Sequence, residues 1–191
     1  MTQTRLAVLG HPIQHSRSPQ LHSSAYRVLG LPWTYETADV TDAQLPAFVA
    51  ALGPAWRGLS LTMPLKRAVV PLLDEGDELV AMIGVANTVL FRPAAGRVAL
   101  HGFNTDVGGV MDALGAAGAD PRDAHVLGSG ATATSVLVAL ARLGAASVTV
   151  SARSPQKAHH LHTLARQLGV DLVIVPFGTT PGTPPTLVVS T

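Results

Sequence analysis

The sequence predicts an α/β protein with two domains that meet near Phe103. Three observations indicate this fold class. Short apolar runs of strand length alternate with segments of helical periodicity along the 191 residues. A strand, a glycine turn, a helix and a second strand follow one another between His125 and Arg153. The mean hydropathy of +0.33 fits strands that are buried on both faces of a parallel sheet.

The first domain, residues 1–103, is predicted to alternate strands and helices. Its strands are the apolar runs at residues 5–9, 33–38, 58–62, 84–91 and 98–103, with a turn at 93–96 between the last two. Its helices are expected at residues 18–30, 41–53, 63–73 and 77–82. Ser18 and Pro19 form a typical pair of N-cap and first helical residue, and Thr41 with Gln44 forms a capping box.

The second domain, residues 104–191, continues this alternation. A helix is expected at residues 106–117, before the strand that starts at His125. Apolar residues then keep helical spacing from Val136 to Leu143, where Gly144 follows as a natural C-cap. Further strands are predicted at residues 147–151, 170–175 and 186–191.

The turn between the first strand and helix of the second domain has the spacing G-x-G-x-x-A. Gly128 permits the sharp turn, and Gly130 lets a pyrophosphate approach the backbone because no Cβ stands in the way. Ala133 is small enough for the helix to lie close to the strand. The strand, turn, helix and second strand agree in order and length with the dinucleotide-binding unit. We therefore predict a Rossmann-type dinucleotide site, and the alternative is a glycine turn that serves only the backbone geometry. Its residues are Gly128, Ser129, Gly130, Ala131, Thr132 and Ala133.

The end of the next strand favours one dinucleotide over the other. NAD sites usually carry an Asp or Glu about 20 residues beyond the glycines, on the ribose 2′-hydroxyl. This sequence has no acid there and carries Arg153, Ser154 and Lys157 instead. Cations and hydroxyls suit a 2′-phosphate, so NADP is the predicted cofactor. The alternative is a solvated loop whose cations serve solubility.

Composition excludes several classes of protein. The net charge of +1 gives no argument for binding nucleic acid or an anionic membrane. The absence of cysteine excludes disulfides, thiolate zinc sites and cysteine nucleophiles. Without a signal pattern or an apolar run of about 20 residues, a soluble cytoplasmic protein is expected. His159, His160 and His162 cluster without carboxylates, so a solvated helix face is favoured and no metal is predicted.

Several polar residues stand where they could perform chemistry. Lys66 lies in the first turn of a predicted helix, where the helix dipole disfavours the charged form and suits proton transfer. A solvated surface lysine is the alternative. Asp106 could equally cap a helix, and Ser16 and Ser18 could bind an anion, although Ser18 could serve only as a cap. Asn87 is predicted inside a strand, where a polar side chain must find partners.

Four segments match the ordered motifs of one family. Residues 10–22, G-H-P-I-Q-H-S-R-S-P-Q-L-H, are similar to the signature G-x-P-[IV]-x-H-S-x-S-P-x-x-H. Residues 58–66 resemble G-x-N-V-T-x-P-[FL]-K, residues 84–88 resemble G-A-V-N-T, and residues 102–106 resemble G-x-N-T-D. With the glycine turn, these matches cover most of the chain and are specific as a set. Together they resemble the shikimate dehydrogenase family.

The resemblance implies an enzyme that reversibly reduces 3-dehydroshikimate to shikimate with NADPH, in chorismate and aromatic amino-acid biosynthesis. By motif, Lys66 would be the catalytic acid and base, and Asp106 its partner. Ser16 and Ser18 would hold the substrate carboxylate. The full set of implied substrate-binding residues is Ser16, Ser18, Thr62, Lys66, Asn87 and Asp106. The family's cofactor segment N-R-T-x-x-[RK] is matched by residues 152–157.

The match to the family has departures and leaves rivals. Ser23, the pair Ser60–Leu61 and Ala152 replace residues that the family motifs carry. The rivals are a quinate/shikimate dehydrogenase that prefers NAD and a non-catalytic ligand-binding relative. A complete dinucleotide domain should continue beyond the last predicted strand, so we expect a truncated Rossmann domain and an inactive, aggregation-prone 1–191 fragment. A monomer or a homodimer is expected.

Overall fold

The computed structural model describes residues 4–94, 97–179 and 182–191, and the chain divides into two compact units, Met1–Asn104 and Thr105–Thr191. The strands of the first unit are β1 (Thr4–Gly10), β2 (Trp33–Asp39), β3 (Trp56–Leu61), β4 (Glu75–Gly76), β5 (Thr88–Ala94) and β6 (Arg97–Phe103). Its helices are α1 (Ser18–Val28), α2 (Leu45–Ala50), α3 (Leu65–Ala68) and α4 (Glu78–Ile83). The predicted α/β class is confirmed.

The sheet of the first unit mixes parallel and antiparallel strands in the order β2-β1-β3-β5-β6-β4. β1 pairs in parallel with β2 and β3, whereas β5 runs antiparallel to β3 and to β6. The expectation of parallel strands is wrong for this half of the sheet, because the short connection from β5 to β6 permits only antiparallel pairing. Leu9, Leu65 and Val89 belong to the core that packs against the sheet.

Two predicted helix starts differ from the observed ones. Ser18 is the first residue of α1 and not its cap, because the N-cap position belongs to Arg17. The capping box forms only in part: the Gln44 side-chain oxygen accepts from the Thr41 backbone N–H at 3.0 Å, but the helix begins one residue after Gln44. Helix α1 therefore starts one residue earlier than the sequence pattern indicates, and α2 starts later.

The predicted helix at residues 63–73 is broken. Helix α3 covers four residues, and a separate 3-10 turn, Val70–Leu72, follows. Pro71 explains the break, because proline has no N–H and clashes with the carbonyl four residues earlier. A four-residue helix has a smaller dipole than the eleven-residue helix that the sequence predicts, so the structure gives the helix-dipole argument for Lys66 less support. Asn87 lies just before β5 and not inside a strand.

The second unit has a parallel sheet with the strand order of a dinucleotide-binding fold. Its strands are β7 (Asp123–Leu127), β8 (Ser147–Ala152), β9 (Asp171–Pro176) and β10 (Leu187–Ser190). Its helices are α5 (Asp106–Ala116), α6 (Ala131–Arg142) and α7 (His160–Leu168). The order β9-β8-β7-β10 corresponds to strands 3-2-1-4 of the Rossmann fold, so that prediction is confirmed. No helix among the described residues is long and apolar enough to span a membrane.

Candidate functional site

Three connections of the first unit leave its sheet at one edge. β1 and β3 are adjacent and parallel, so the loops that follow them start from the same edge. β5 is antiparallel to β3, and the segment before β5 therefore ends at this edge too. Five candidate residues lie on these connections: Ser16, Ser18, Thr62, Lys66 and Asn87. Ligands of open α/β sheets bind at the carboxyl ends of the parallel strands, which is where these residues converge.

Backbone hydrogen bonds hold the segment with Lys66 against the segment with Asn87. The Leu61 N–H donates to the Asn87 carbonyl at 2.8 Å, and the Ala86 N–H donates to the Lys66 carbonyl at 2.9 Å. The Asn87 side-chain oxygen accepts from the Thr88 hydroxyl at 3.3 Å. Lys66 and Asn87 are both half-buried, so their polar groups stand at the surface of the unit and not in its core.

A close approach at Gly10 brings the serine-bearing loop against Thr62. A Cβ on Gly10 would lie 2.5 Å from the Thr62 methyl carbon and 2.9 Å from the Met63 carbonyl oxygen. The N–H of His11 donates to the same carbonyl oxygen at 3.0 Å. Because only glycine leaves room for this approach, residue 10 determines how closely the two loops meet.

Ser16 and Ser18 are linked through the start of α1. The Ser16 N–H donates to the Ile13 carbonyl at 2.9 Å, and the Ser18 N–H donates to the Ser16 hydroxyl oxygen at 3.3 Å. A hydroxyl that accepts one hydrogen bond keeps its own proton for donation. The Ser16 hydroxyl can therefore still donate to an anion, and anion binding by the two serines stays a prediction.

Tyr35 adds a phenol to this edge that the sequence analysis did not single out. Its hydroxyl donates to the Ser60 hydroxyl oxygen at 2.7 Å and bonds the Ser18 side chain. Its ring stacks on the ring of His22 at 4.0 Å. Burial raises the pKa of Tyr35 above its ordinary value, so the phenol stays protonated at neutral pH. A tyrosine within a strand pattern is typical of a core residue, and nothing local indicated these partners.

Asp39, the last residue of β2, binds two side chains of the loop that leads to Ser16. Its carboxylate lies 2.6 Å from the His11 Nδ1 atom and accepts from the Gln14 side-chain amide at 2.9 Å. The hydrogen bond from His11 is the main reason why the pKa of Asp39 lies below its ordinary value. Sequence reasoning missed this group, because its partners are 25 to 28 residues away.

The glycine turn of the second unit contains three small residues with three different surroundings. Gly128 has a φ of +119°, and a Cβ there would collide with Thr191. Ala133 is 2% exposed and packs against the sheet. A Cβ on Gly130, by contrast, would meet no described protein atom within 4 Å. Backbone geometry requires glycine at 128 and packing requires a small residue at 133, whereas nothing within the described residues requires glycine at 130.

The predicted 2′-phosphate residues follow β8. Arg153 and Lys157 are exposed, and Ser154 is half-buried, with its carbonyl accepting from the Lys157 N–H at 3.1 Å. The Gly128 N–H donates to the Ser151 carbonyl at 2.9 Å, so the glycine turn and this cationic segment leave the same sheet edge. The candidate cofactor residues of the second unit are therefore brought to one place.

Asp106 belongs to the second unit, as the first residue of α5. The N-cap position of this helix is Thr105, so Asp106 does not cap the helix but is an acid of its first turn, the other structural role that the sequence allows. The described residues contain no group of three His, Asp or Glu side chains that could hold a metal ion. The rings of His159 and His162 lie 5.7 Å apart.

Several known proteins of similar sequence carry the name shikimate dehydrogenase (NADP(+)). Residues 8–89 match the family model of the shikimate dehydrogenase substrate binding domain. The shikimate dehydrogenase (NADP(+)) of Moorella thermoacetica is 38% identical over 159 residues, which cover 82% of this chain and 52% of that protein. The chain covers 60% and 62% of two further curated relatives, so it spans between about half and three-fifths of the length of these proteins.

Solved structures of similar sequence have the same fold. The shikimate dehydrogenase of Mycobacterium tuberculosis is 42% identical with a TM-score of 0.83, over 98% of this chain and 70% of that chain. The shikimate 5-dehydrogenase of Thermus thermophilus in complex with NADP(H) and shikimate is 40% identical with a TM-score of 0.76, over 90% and 63%. Since sequence motifs, fold and these similarities agree over most of its length, the chain belongs to the shikimate dehydrogenase family.

Proposed function

We propose that the protein is an NADP-dependent oxidoreductase that interconverts 3-dehydroshikimate and shikimate, in the biosynthesis of chorismate and the aromatic amino acids. The observation that carries this proposal is the convergence of five polar residues at one edge of the first sheet, in a member of this family: Ser16, Ser18, Thr62, Lys66 and Asn87. Their chemistry matches a ligand with one carboxylate and several ring oxygens.

The two serine hydroxyls are proposed to hold the substrate carboxylate. Ser16 and Ser18 each carry one hydroxyl proton, and the Ser18 N–H bonds the Ser16 hydroxyl oxygen, which keeps the two residues side by side at the start of α1. Hydrogen bonds to a charged group are worth roughly 1.5–3 kcal/mol each. Thr62 and Asn87 would bind the ring oxygens, because each can donate and accept.

Lys66 is proposed as the group that holds and moves a proton at the reacting oxygen. Its ammonium can donate a proton as the oxygen gains charge and take it back in the reverse direction. Backbone contacts with Ala86 fix its α-carbon beside Asn87, which limits where the ammonium can reach. Asp106 is proposed as the second catalytic group, on the strength of its motif.

The second unit is proposed to hold NADP, which when bound supplies or accepts the hydride. Gly130 supports this, because its missing Cβ serves no described contact within the protein but lets a phosphate approach the start of α6. Gly130 is the N-cap residue of α6 and has no side chain there, and the start of a helix favours a negative charge. The cofactor residues would be Gly128, Ser129, Gly130, Ala131, Thr132, Ala133, Arg153, Ser154 and Lys157.

Steady-state assays of the full-length gene product test the function against its rivals. Shikimate and quinate are each offered with NADP and with NAD. We expect the highest kcat/KM for shikimate with NADP. A preference for quinate or shikimate with NAD would favour the quinate/shikimate dehydrogenase. Tight binding of shikimate without turnover would favour a non-catalytic relative.

Arg153→Ala tests the choice of cofactor. The guanidinium is expected to pair with the 2′-phosphate that NAD lacks, so the substitution should weaken NADP by roughly 30- to 150-fold and leave NAD almost unchanged. This range corresponds to about 2–3 kcal/mol for a charge-assisted contact. Arg142→Ala, which removes an exposed arginine at the end of α6, is the matched control. Equal losses for both cofactors in calorimetric titrations would refute the assignment.

A further inference from the structure

We propose that Asp39 is a positioning residue for the carboxylate subsite: it fastens the loop that carries Ser16 and holds the serine hydroxyls in their binding geometry. This inference rests on the proposed function and deepens it, because Asp39 lies outside the motifs that indicate the substrate site. Asp39 ends β2, and the loop it binds connects β1 with α1.

The Asp39 carboxylate binds two side chains of this loop. Its oxygens lie 2.6 Å from His11 Nδ1 and 2.9 Å from Gln14 Nε2. An ionised carboxylate only accepts, so His11 Nδ1 carries the proton in this contact. Hydrogen bonds to a charged acceptor are about twice as strong as neutral ones. Two of them, one on each side of Ile13, restrict the loop more than one surface ion pair would.

The restraint is passed to the serines through Ile13. The Ile13 side chain is 2% exposed, so the loop is held by the core on one side and by Asp39 on the other. The Ile13 carbonyl accepts from the Ser16 N–H at 2.9 Å, and the Ser16 hydroxyl accepts from the Ser18 N–H. A shift of Ile13 would therefore move Ser16 directly and Ser18 through it.

The main chain already anchors the beginning of the loop without the Asp39 side chain. The Val40 N–H donates to the Gly10 carbonyl at 3.0 Å, and the His11 N–H donates to the Met63 carbonyl at 3.0 Å. The side chains of His11 and Asp39 are 54% and 36% exposed, and exposed ion pairs contribute little to folding. Loss of the carboxylate should therefore release the loop and leave the sheet intact.

The test compares Asp39→Ala with Glu36→Ala in the full-length gene product. Glu36 is the matched control, because it lies on the same strand and its exposed carboxylate accepts from Arg5 at 3.0 Å. Asp39→Ala should raise the KM for shikimate about tenfold, the effect of roughly one hydrogen bond to a charged group. The kcat and the KM for NADP should stay within about twofold of the wild-type values, as expected when only substrate binding is weakened. Glu36→Ala should change none of the three.

A second substitution decides whether Asp39 acts through the serine loop. In a Ser16→Ala background, Asp39→Ala should raise the KM for shikimate by no more than about twofold, because coupled residues are not additive. A full tenfold increase in that background would overturn the proposal. So would an unchanged KM in Asp39→Ala, or an equal increase in Glu36→Ala.

Amide hydrogen exchange separates this inference from the proposed function, because it needs no ligand. The amides of residues 13–18 should exchange faster in Asp39→Ala than in the wild type or in Glu36→Ala. If the wild type fails to oxidise shikimate with NADP, the proposed function fails and exchange still reports on the loop. Unchanged exchange would overturn the positioning role whatever the activity. If Asp39→Ala does not fold, Asp39→Asn replaces it in each comparison.

Discussion

Lys66→Ala is expected to lower kcat by roughly 10²- to 10⁴-fold, the usual contribution of a positioned general acid or base. The substitution removes the group proposed to exchange a proton with the reacting oxygen. The KM for shikimate should change little, since the contacts on the carboxylate remain. Steady-state kinetics of the full-length gene product measure both quantities. An enzyme with near-normal kcat would contradict the assignment of Lys66.

Lys66→Arg separates proton transfer from positive charge. Arginine keeps the cation, but its guanidinium is not deprotonated in proteins and cannot serve as a base. We expect its kcat to fall nearly as far as in Lys66→Ala. Recovery of most of the activity would indicate that Lys66 acts only as a charge. Asp106→Asn should also lower kcat, and Arg57→Gln, which changes an exposed cation near the start of β3, is the control.

The double substitution Ser16→Ala/Ser18→Ala is expected to raise the KM for shikimate by at least about 10²-fold. Each hydroxyl loses a hydrogen bond to a carboxylate, worth roughly 1.5–3 kcal/mol, and the two losses need not add fully because the residues are linked. The dissociation constant of NADP should not change, because both serines belong to the first unit. Steady-state kinetics measure the KM for shikimate, and calorimetric titration measures the dissociation constant of NADP.

A neutral ligand provides a second test of this prediction. The carboxamide analogue of shikimate lacks the charge, so the double substitution should weaken it far less than it weakens shikimate. Ser24→Ala, which removes an exposed hydroxyl from α1, should affect neither ligand. A parallel loss of NADP affinity in the double variant would indicate that the serines support the fold instead.

Local sequence patterns predicted the parts of the structure that depend on local chemistry. The glycine turn, helix α6 and the strands on either side follow from small residues and periodicity, and they lie close to their predicted positions. The prediction of one continuous helix at residues 63–73 was wrong, because it followed the apolar periodicity and did not take account of Pro71. Asn87 was assigned to a strand for the same reason, although β5 begins one residue later.

The contacts that complete the substrate edge come from strand pairing and have no local signal. Tyr35 and Ser60 are 25 residues apart, and His11 and Asp39 are 28 apart. Both pairs form because β1 lies between β2 and β3 in the sheet, an order that periodicity does not specify. The motif residues could thus be predicted from the sequence, whereas the residues that support them required the fold.

The close contact at Gly10 has a consequence for the size of the ligand. The loop between β1 and α1, which carries Ser16, lies very close to the segment after β3 that contains Thr62. The space between them at Gly10 is too small for a methyl group, since a Cβ there would lie 2.5 Å from the Thr62 methyl carbon. If these two segments hold opposite ends of a six-membered ring, a single added carbon at residue 10 would spread them and loosen the fit. Residue 10 would then determine which size of ring fits the site, although it does not contact the ligand. Its glycine would be selected for the dimensions of the site as much as for the path of the backbone.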